Sequence, residues 1–157
     1  SISAMWGWVV SLPHTVASRV PAVNRPPLGA MSGVALSLFA AGLVLETLAD
    51  VQKYLFKRQA ANRGKFCGVG VWSFSQHPNW LGNLMMMSGL VALNTPTLLA
   101  PPGPLLRRGG RWLTAAACPV FMLGLFYGQA KGLITEAAAQ AEARYGKDPE
   151  YHAYLQK

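Results

Sequence analysis

Four charged side chains between residues 46 and 57 are spaced as on one face of a helix. They are Glu46, Asp50, Lys53 and Lys57. At about 100° per residue, these positions fall within a narrow stripe of the helix. An ionisable side chain that lies close to the hydrocarbon of a membrane costs several kcal/mol of free energy if it has no partner. This charged ladder therefore predicts either i,i+4 ion pairs or a polar cavity that binds a ligand, and the spacing favours neither.

A glycine-rich segment with two bases follows the ladder. Arg63 and Lys65 alternate with glycines in the sequence NRGKFCGVG. This composition can bring backbone amides and cations to a phosphate. It lacks the strand-to-helix context of a dinucleotide fingerprint or a P-loop, so it identifies neither motif.

The third element is His77-Pro78-Asn79-Trp80. A residue before proline is held extended, and proline is favoured in the first turn of a helix. We therefore expect His77 to stand at the entrance of a helix that begins with Pro78, either as part of a ligand site or as an interfacial cap with an aromatic anchor. No nucleophilic triad and no set of ligands at metal spacing is found, so no metal site is predicted.

The elements that position these residues are predicted to be membrane helices. Hydrophobic residues make up 52 % of the chain and charged residues 13 %, about half the charged share of soluble proteins. Apolar stretches occupy residues 2–20, 28–49, 80–100 and 112–130. We predict an all-α, polytopic integral membrane bundle of three to four transmembrane helices, with a polar loop and a C-terminal amphipathic helix, as a single membrane domain over residues 1–157.

The net charge of +8 is unevenly distributed. The loop 51–79 and the tail from residue 131 carry nine Lys and Arg residues, and the other connections carry Arg19, Arg25, Arg107, Arg108 and Arg111. The positive-inside bias places the first group on a cytosolic, matrix or stromal side, without distinguishing endoplasmic reticulum, organelle inner membrane or bacterial inner membrane. Bases in such short loops favour lipid or phosphate contacts, so membrane lipids are expected partners and nucleic acid is not.

Several ordered motifs resemble a known family. The strings ETLADVQKYLF, NRGKF and W-x-x-S-x-HPN-x-x-G follow one another in this chain. They resemble the steroid 5-alpha-reductase C-terminal family, in its branch of uncharacterised reductase-like proteins, which is related to sterol reductases and isoprenylcysteine carboxyl methyltransferases. The opening WGWVVSLP and the closing RYGKDPEYHAY also resemble that family, so the resemblance covers nearly the whole chain.

The resemblance implies a membrane reductase that uses NADPH to reduce the C=C bond of a hydrophobic enone or sterol-like lipid. It implies cofactor contacts at Asp50, Lys57 and Asn79, with Arg63 and Lys65 near the phosphates. Together with the remaining ladder residues and the histidine, the predicted cofactor-binding residues are Glu46, Asp50, Lys53, Lys57, Arg63, Lys65, His77 and Asn79.

The chain also departs from this family. Where relatives commonly read SRHPNYFGE, this chain reads SQHPNWLGN, so Gln76 replaces a base, Trp80 a tyrosine and Asn83 a carboxylate. These changes remove a cation and a phenol donor. The first helices of the family, which in the steroid reductases supply the Glu and Tyr that polarise the substrate, are missing from these residues. Catalytic residues are therefore not assigned.

Two alternatives follow from these departures. One is a catalytically degenerate member that serves as a structural or lipid-binding subunit of a larger membrane complex. Small residues at Gly29, Gly33 and Ser37 suit close helix packing, either against such partners or, as we expect first, within the chain's own bundle. The other alternative is methyl transfer from S-adenosylmethionine to a prenylated or lipid substrate.

Overall fold

The computed structural model describes residues 2–156, which contain six α-helices and no strand. The helices are α1 (Ile2–Ser18), α2 (Ala30–Arg58), α3 (Pro78–Leu99), α4 (Leu105–Ala130), α5 (Ala137–Tyr145) and α6 (Pro149–Leu155). Short 3-10 turns lie at Ala22–Asn24, Ala60–Asn62 and Gly70–Ser73. The predicted all-α class is confirmed. Lys157, one of the nine bases counted in the loop and tail, lies outside the described residues.

Each of the four apolar stretches forms a helix, and two of these helices are long and apolar enough to cross a membrane. Among residues 2–156, α2 and α4 meet that test, with mean hydropathies of 1.8 and 1.4. Only 17 % and 22 % of their apolar windows are buried, whereas the core helix of a soluble protein is mostly buried. This exposure favours lipid as their surroundings. The larger number of three to four spans stays a prediction.

The chain divides into two compact units. Unit 1 consists of Ser1–Gly42 and Leu84–Leu123, and unit 2 consists of Leu43–Asn83 and Gly124–Lys157. In unit 1, Leu12 of α1 packs against Cys118 of α4 in one of its buried clusters. The organisation of residues 1–157 as a single membrane domain stays a prediction.

Close helix packing in unit 1 occurs at a glycine that the sequence did not single out. A Cβ on Gly89 of α3 would lie 2.9 Å from the Ala35 carbonyl oxygen of α2, so only glycine permits this approach. By contrast, a Cβ on Gly29 or Gly33 would have no described neighbour within 4 Å. Packing of these two glycines within the chain's own bundle was therefore a wrong expectation, because the face that carries them is turned away from the other helices of unit 1.

In unit 2, the glycine-rich segment folds back onto α2. The buried Trp72 donates a hydrogen bond from its indole N–H to the Ala49 carbonyl at 2.8 Å. The backbone N–H of Val71 donates to Oε1 of Gln52 at 2.9 Å. Directly before Val71 and Trp72, Gly70 has a φ of +58°, the left-handed region that favours glycine. These bonds fix the segment beside the charged half of α2.

The C-terminal region contains more structure than the sequence suggested. Where one C-terminal amphipathic helix is predicted, the structure has two: α5 ends at Tyr145 with Gly146 as its cap, and the residues after it form α6. Asp148 caps α6 by accepting a hydrogen bond from the Glu150 N–H at 2.9 Å. Tyr151 and Tyr154 share one face of α6 and are buried. This buried face explains why the segment is ordered.

Candidate cofactor site

Unit 2 contains a cavity of about 470 Å³, a size typical of small-molecule sites. Helix α2, the segment that follows it, the first turn of α3, the end of α4, and helices α5 and α6 all contribute to its wall. The lining side chains include Lys53, Lys57, Phe66, Trp72, His77, Trp80, Glu142, Tyr145, Tyr151 and Tyr154. The wall is therefore largely aromatic, with two cations and one carboxylate.

The two lysines of the charged ladder line this cavity without pairing with the ladder's carboxylates. Nζ of Lys53 lies 4.3 Å from the centroid of the Trp72 ring. Nζ of Lys57 donates to the phenol oxygen of Tyr145 at 2.9 Å and also to the Lys65 carbonyl. Within residues 2–156, the ladder is thus no ion-pair series, and its two ammonium groups lie beside the cavity without a carboxylate partner.

The ladder's carboxylates bind asparagines instead. Asn79 donates from Nδ2 to Asp50 at 3.2 Å, and Asn83 donates from Nδ2 to Glu46 at 3.3 Å. An ionised carboxylate can only accept hydrogen bonds, so each amide must direct its NH₂ group to the carboxylate. Its Oδ1 then points away from the carboxylate. Both Oδ1 atoms are buried and have no partner among the described residues. These two amide pairs thus leave two unfilled acceptors on α3.

His77 is part of a stack of three rings. Its imidazole lies 3.6 Å from the Trp80 ring at an interplanar angle of 4°, and Trp80 stacks on Phe126 at 4.9 Å and 6°. Burial lowers the pKa of His77 below its usual 6.5, and the charge of Lys53 lowers this pKa further. His77 is therefore neutral at physiological pH and can both donate and accept a hydrogen bond.

Tyrosines from α5 and α6 gather around Phe66. The ring centroids of Tyr145, Tyr151 and Tyr154 lie 6.2, 5.5 and 5.1 Å from that of Phe66. Burial raises the pKa of Tyr154 to about 12, with smaller contributions from Cys67 and Tyr151. Burial also tends to raise the pKa of Tyr145, but the hydrogen bonds and charges of Lys57 and Arg144 outweigh it and lower that pKa.

The structure separates the predicted site residues into three groups. Lys53, Lys57 and His77 line the cavity, whereas the other five do not. Glu46, Asp50 and Asn79 form the amide pairs, and Arg63 and Lys65 are exposed. The assignment of all eight to cofactor binding stays a prediction, and only the first group lies on the cavity wall.

Sequence reasoning missed the aromatic part of the wall. Phe66 and the three tyrosines of α5 and α6 were not singled out, although the Asp148-Pro149 helix start and the i,i+3 spacing of Tyr151 and Tyr154 were available signals. The proposed loss of a phenol at position 80 is also offset, since Tyr145 places a phenol with a lowered pKa on the same cavity.

The described residues thus form an all-helical protein with two helices that are long and apolar enough to cross a membrane. Its unit 2 contains a cavity lined by aromatic rings, two lysines and one glutamate. A family model described as "Protein of unknown function (DUF1295)" matches residues 1–157, and the chain belongs to this family, which is steroid 5-alpha-reductase-like. The protein named "Probable O-methyltransferase ustE" from Ustilaginoidea virens is 36 % identical over 53 residues, 34 % of this chain and 19 % of that protein. No solved structure matches significantly.

Proposed function

We propose that unit 2 binds NADPH and that the protein is a membrane-embedded reductase acting on the C=C bond of a hydrophobic enone or sterol-like lipid. Family membership makes the reductase class the first choice. The observation that carries the proposal is the pair of ammonium groups, Lys53 and Lys57, on a cavity wall rich in aromatic rings and without a carboxylate partner among residues 2–156. Such groups attract phosphate, and the rings offer faces for flat heterocycles.

The residues present fit a dinucleotide of this kind. Lys53 and Lys57 would hold its phosphates, and aromatic side chains of the wall such as Phe66 and Tyr145 would hold its planar rings. A wall built from aromatic rings also excludes water from a hydrophobic substrate.

Tyr145 is the residue best suited to move the proton that such a reduction needs. When bound, NADPH supplies a hydride to the β-carbon of the enone. The α-carbon must then receive a proton, and the phenol Oη of Tyr145 can give it because Lys57 stabilises the phenolate that forms. Solvent returns the proton to Tyr145. Tyr151 and Tyr154, whose pKa values are raised by burial, stay protonated as part of the wall.

Methyl transfer is a second candidate, because the chain is similar to a protein named as a probable O-methyltransferase over 53 residues. Aromatic walls bind cations such as a sulfonium.

A third candidate is a degenerate subunit, because the residues that depart from the family pattern have structural contacts. Gln76 donates to the Leu155 carbonyl at 2.7 Å, and Asn83 donates to Glu46. In each case the charge bias would place the polar loop and tail on the cytosolic, matrix or stromal side.

The test is titration of the full chain, purified in neutral detergent, with NADPH and separately with S-adenosylmethionine by isothermal calorimetry. NADPH should bind, and Lys53→Gln and Lys57→Gln should each weaken binding about tenfold, as expected for one lost charge-assisted contact. Arg58→Gln is the matched control. Arg58 is also on α2 and loses the same charge, but it lies over Tyr54 and outside the cavity wall, so affinity should change less than about twofold.

The other outcomes are distinct. Binding of S-adenosylmethionine in place of NADPH would establish methyl transfer as the better proposal. Absence of binding by either compound, with co-purification of a partner at fixed stoichiometry, would support the subunit. NADPH binding that Lys53→Gln and Lys57→Gln leave unchanged would show that the dinucleotide site lies elsewhere.

A further inference from the structure

Unit 1 has an unusual charge composition. Residues 1–42 and 84–123 contain five arginines and no lysine, aspartate or glutamate. Its arginines must therefore find acceptors other than carboxylates within the unit. Arg25 does so by donating to the Val20 and Ser18 carbonyls at 2.9 and 3.0 Å. The other arginines leave positive charge without a negative partner in this unit.

Three of these arginines line one cavity of about 710 Å³, here called the arginine cavity. Its wall includes Arg19 from the end of α1 and Arg107 and Arg111 from the first turns of α4, with Asn24 and Thr114 as polar neighbours. Arg107 and Arg111 are spaced i,i+4 and so lie on one face of α4. The amino end of α4 adds its own partial positive charge. All of these features favour an anion.

One guanidinium in this wall is incompletely satisfied. Arg111 donates from Nε to the Leu98 carbonyl at 2.9 Å, but its Nη2 is buried and has no partner among residues 2–156. Buried guanidinium N–H groups are normally hydrogen-bonded. Nε fixes the orientation of the guanidinium plane, so the free donor belongs to a pre-oriented group rather than a mobile side chain.

The cavity wall also contains apolar side chains, among them Val16, Val20 and Pro101, and exposed apolar side chains lie nearby in the sequence. Leu105 and Leu106 precede Arg107 and are 81 % and 88 % exposed, and Val23 is 89 % exposed. A free phosphate, or the phosphate backbone of a nucleic acid, gains nothing from such apolar surfaces. A molecule that joins a phosphate to hydrocarbon satisfies both the cations and the leucines.

We propose that the arginine cavity binds the phosphate of an anionic phospholipid, with the acyl chains against Leu105 and Leu106. Arg107 and Arg111 bind the phosphate oxygens, for which the planar guanidinium fork is suited, and Arg19 supplies further positive charge at the cavity rim. This site is part of unit 1 and does not depend on cofactor binding in unit 2.

The experiment is native mass spectrometry of the full chain released from neutral detergent with equal amounts of dioleoyl-phosphatidylglycerol and dioleoyl-phosphatidylcholine. The parent should retain the anionic lipid in about tenfold preference. Arg107→Gln with Arg111→Gln should bring the two lipids close to parity. The control is Lys131→Gln with Lys147→Gln, which removes the same charge from exposed positions of unit 2 and should keep the preference.

A second variant protects the test against misfolding. Arg111 also binds the Leu98 carbonyl, so the first double variant can fail to fold. In that case Arg19→Gln with Arg107→Gln replaces it, since both side chains are exposed.

The proposal would be overturned if the parent bound the two lipids equally, or if the lysine control lost the preference for the anionic lipid to the same extent. Displacement of the lipid by excess inorganic phosphate would show a free-phosphate site, and displacement by a uridine oligonucleotide would show a nucleic-acid surface. Either result also overturns it.

Discussion

Lys57 donates a hydrogen bond to the phenol oxygen of Tyr145 at 2.9 Å, which joins residues 88 positions apart in the chain. The ammonium also lies 5.2 Å from the centroid of the same ring. A charged donor stabilises the phenolate over the phenol. Through this contact, a cation of α2 increases the acidity of a side chain on α5.

The first prediction concerns the acidity of Tyr145. Lys57→Gln removes a hydrogen bond and a charge that lower the pKa of Tyr145, so that pKa should rise. Ultraviolet difference titration of each protein against its Tyr145→Phe counterpart isolates this phenol. Lys131→Gln, which removes a charge from an exposed position outside the cavity wall, should leave the titration unchanged. An unaltered midpoint in Lys57→Gln would show that the contact does not form in solution.

The second prediction concerns the titration of His77. Burial, and then the charge of Lys53, lower its pKa below 6.5, so the folded protein binds fewer protons here than the unfolded chain. Stability should therefore be constant above about pH 6.5 and decrease as the pH falls from 6.5 to the folded-state pKa. His77→Gln should lose this part of the pH dependence in thermal unfolding.

The same group can be followed directly. In nuclear magnetic resonance titrations of labelled histidine, Lys53→Gln should raise the pKa of His77 but not restore it fully, because burial is the larger cause. A His77 midpoint at or above 6.5 in the parent would contradict the packed ring stack.

The third prediction concerns the pair Asp50–Asn79. Asp50→Ala leaves the Asn79 amide without an acceptor for Nδ2, while its buried Oδ1 has no partner among the described residues, so stability should fall by about 1–2 kcal/mol. Removing both groups in Asp50→Ala with Asn79→Ala should cost less than the sum of the two single changes. A double-mutant cycle by chemical denaturation measures this coupling. Strict additivity would mean that water already satisfies the amide.

The fourth prediction compares two glycines with positive φ. Gly70 has a φ of +58°, and a Cβ there would collide with the Gln52 amide that binds Val71. Gly64 has a φ of +79° but open space around it. Gly70→Ala should therefore cost about 2–3 kcal/mol, from backbone strain and a lost hydrogen bond, and Gly64→Ala about 1 kcal/mol from strain. If thermal unfolding showed equal losses of stability in the two variants, the role assigned to Gln52 would be wrong.

The amino-acid sequence by itself determined the helices and much of the chemistry. Apolar runs of membrane length became α1 to α4, because hydrophobic length and helical periodicity are local properties of the chain. Pro78 begins α3 as predicted, since proline is restricted in its own φ and restricts the residue before it. The i,i+4 spacing also placed Glu46, Asp50, Lys53 and Lys57 on one continuous helix.

Only the tertiary structure decided which partners these charges take. Spacing allowed ion pairs within the ladder, but its carboxylates bind Asn79 and Asn83 and its lysines line a cavity. The sequence did not identify the tyrosines on that cavity, because a helix face is buried only when a distant surface such as that of Phe66 packs against it. Side-chain pairing between segments far apart in the chain depends on packing, which local residue patterns do not encode.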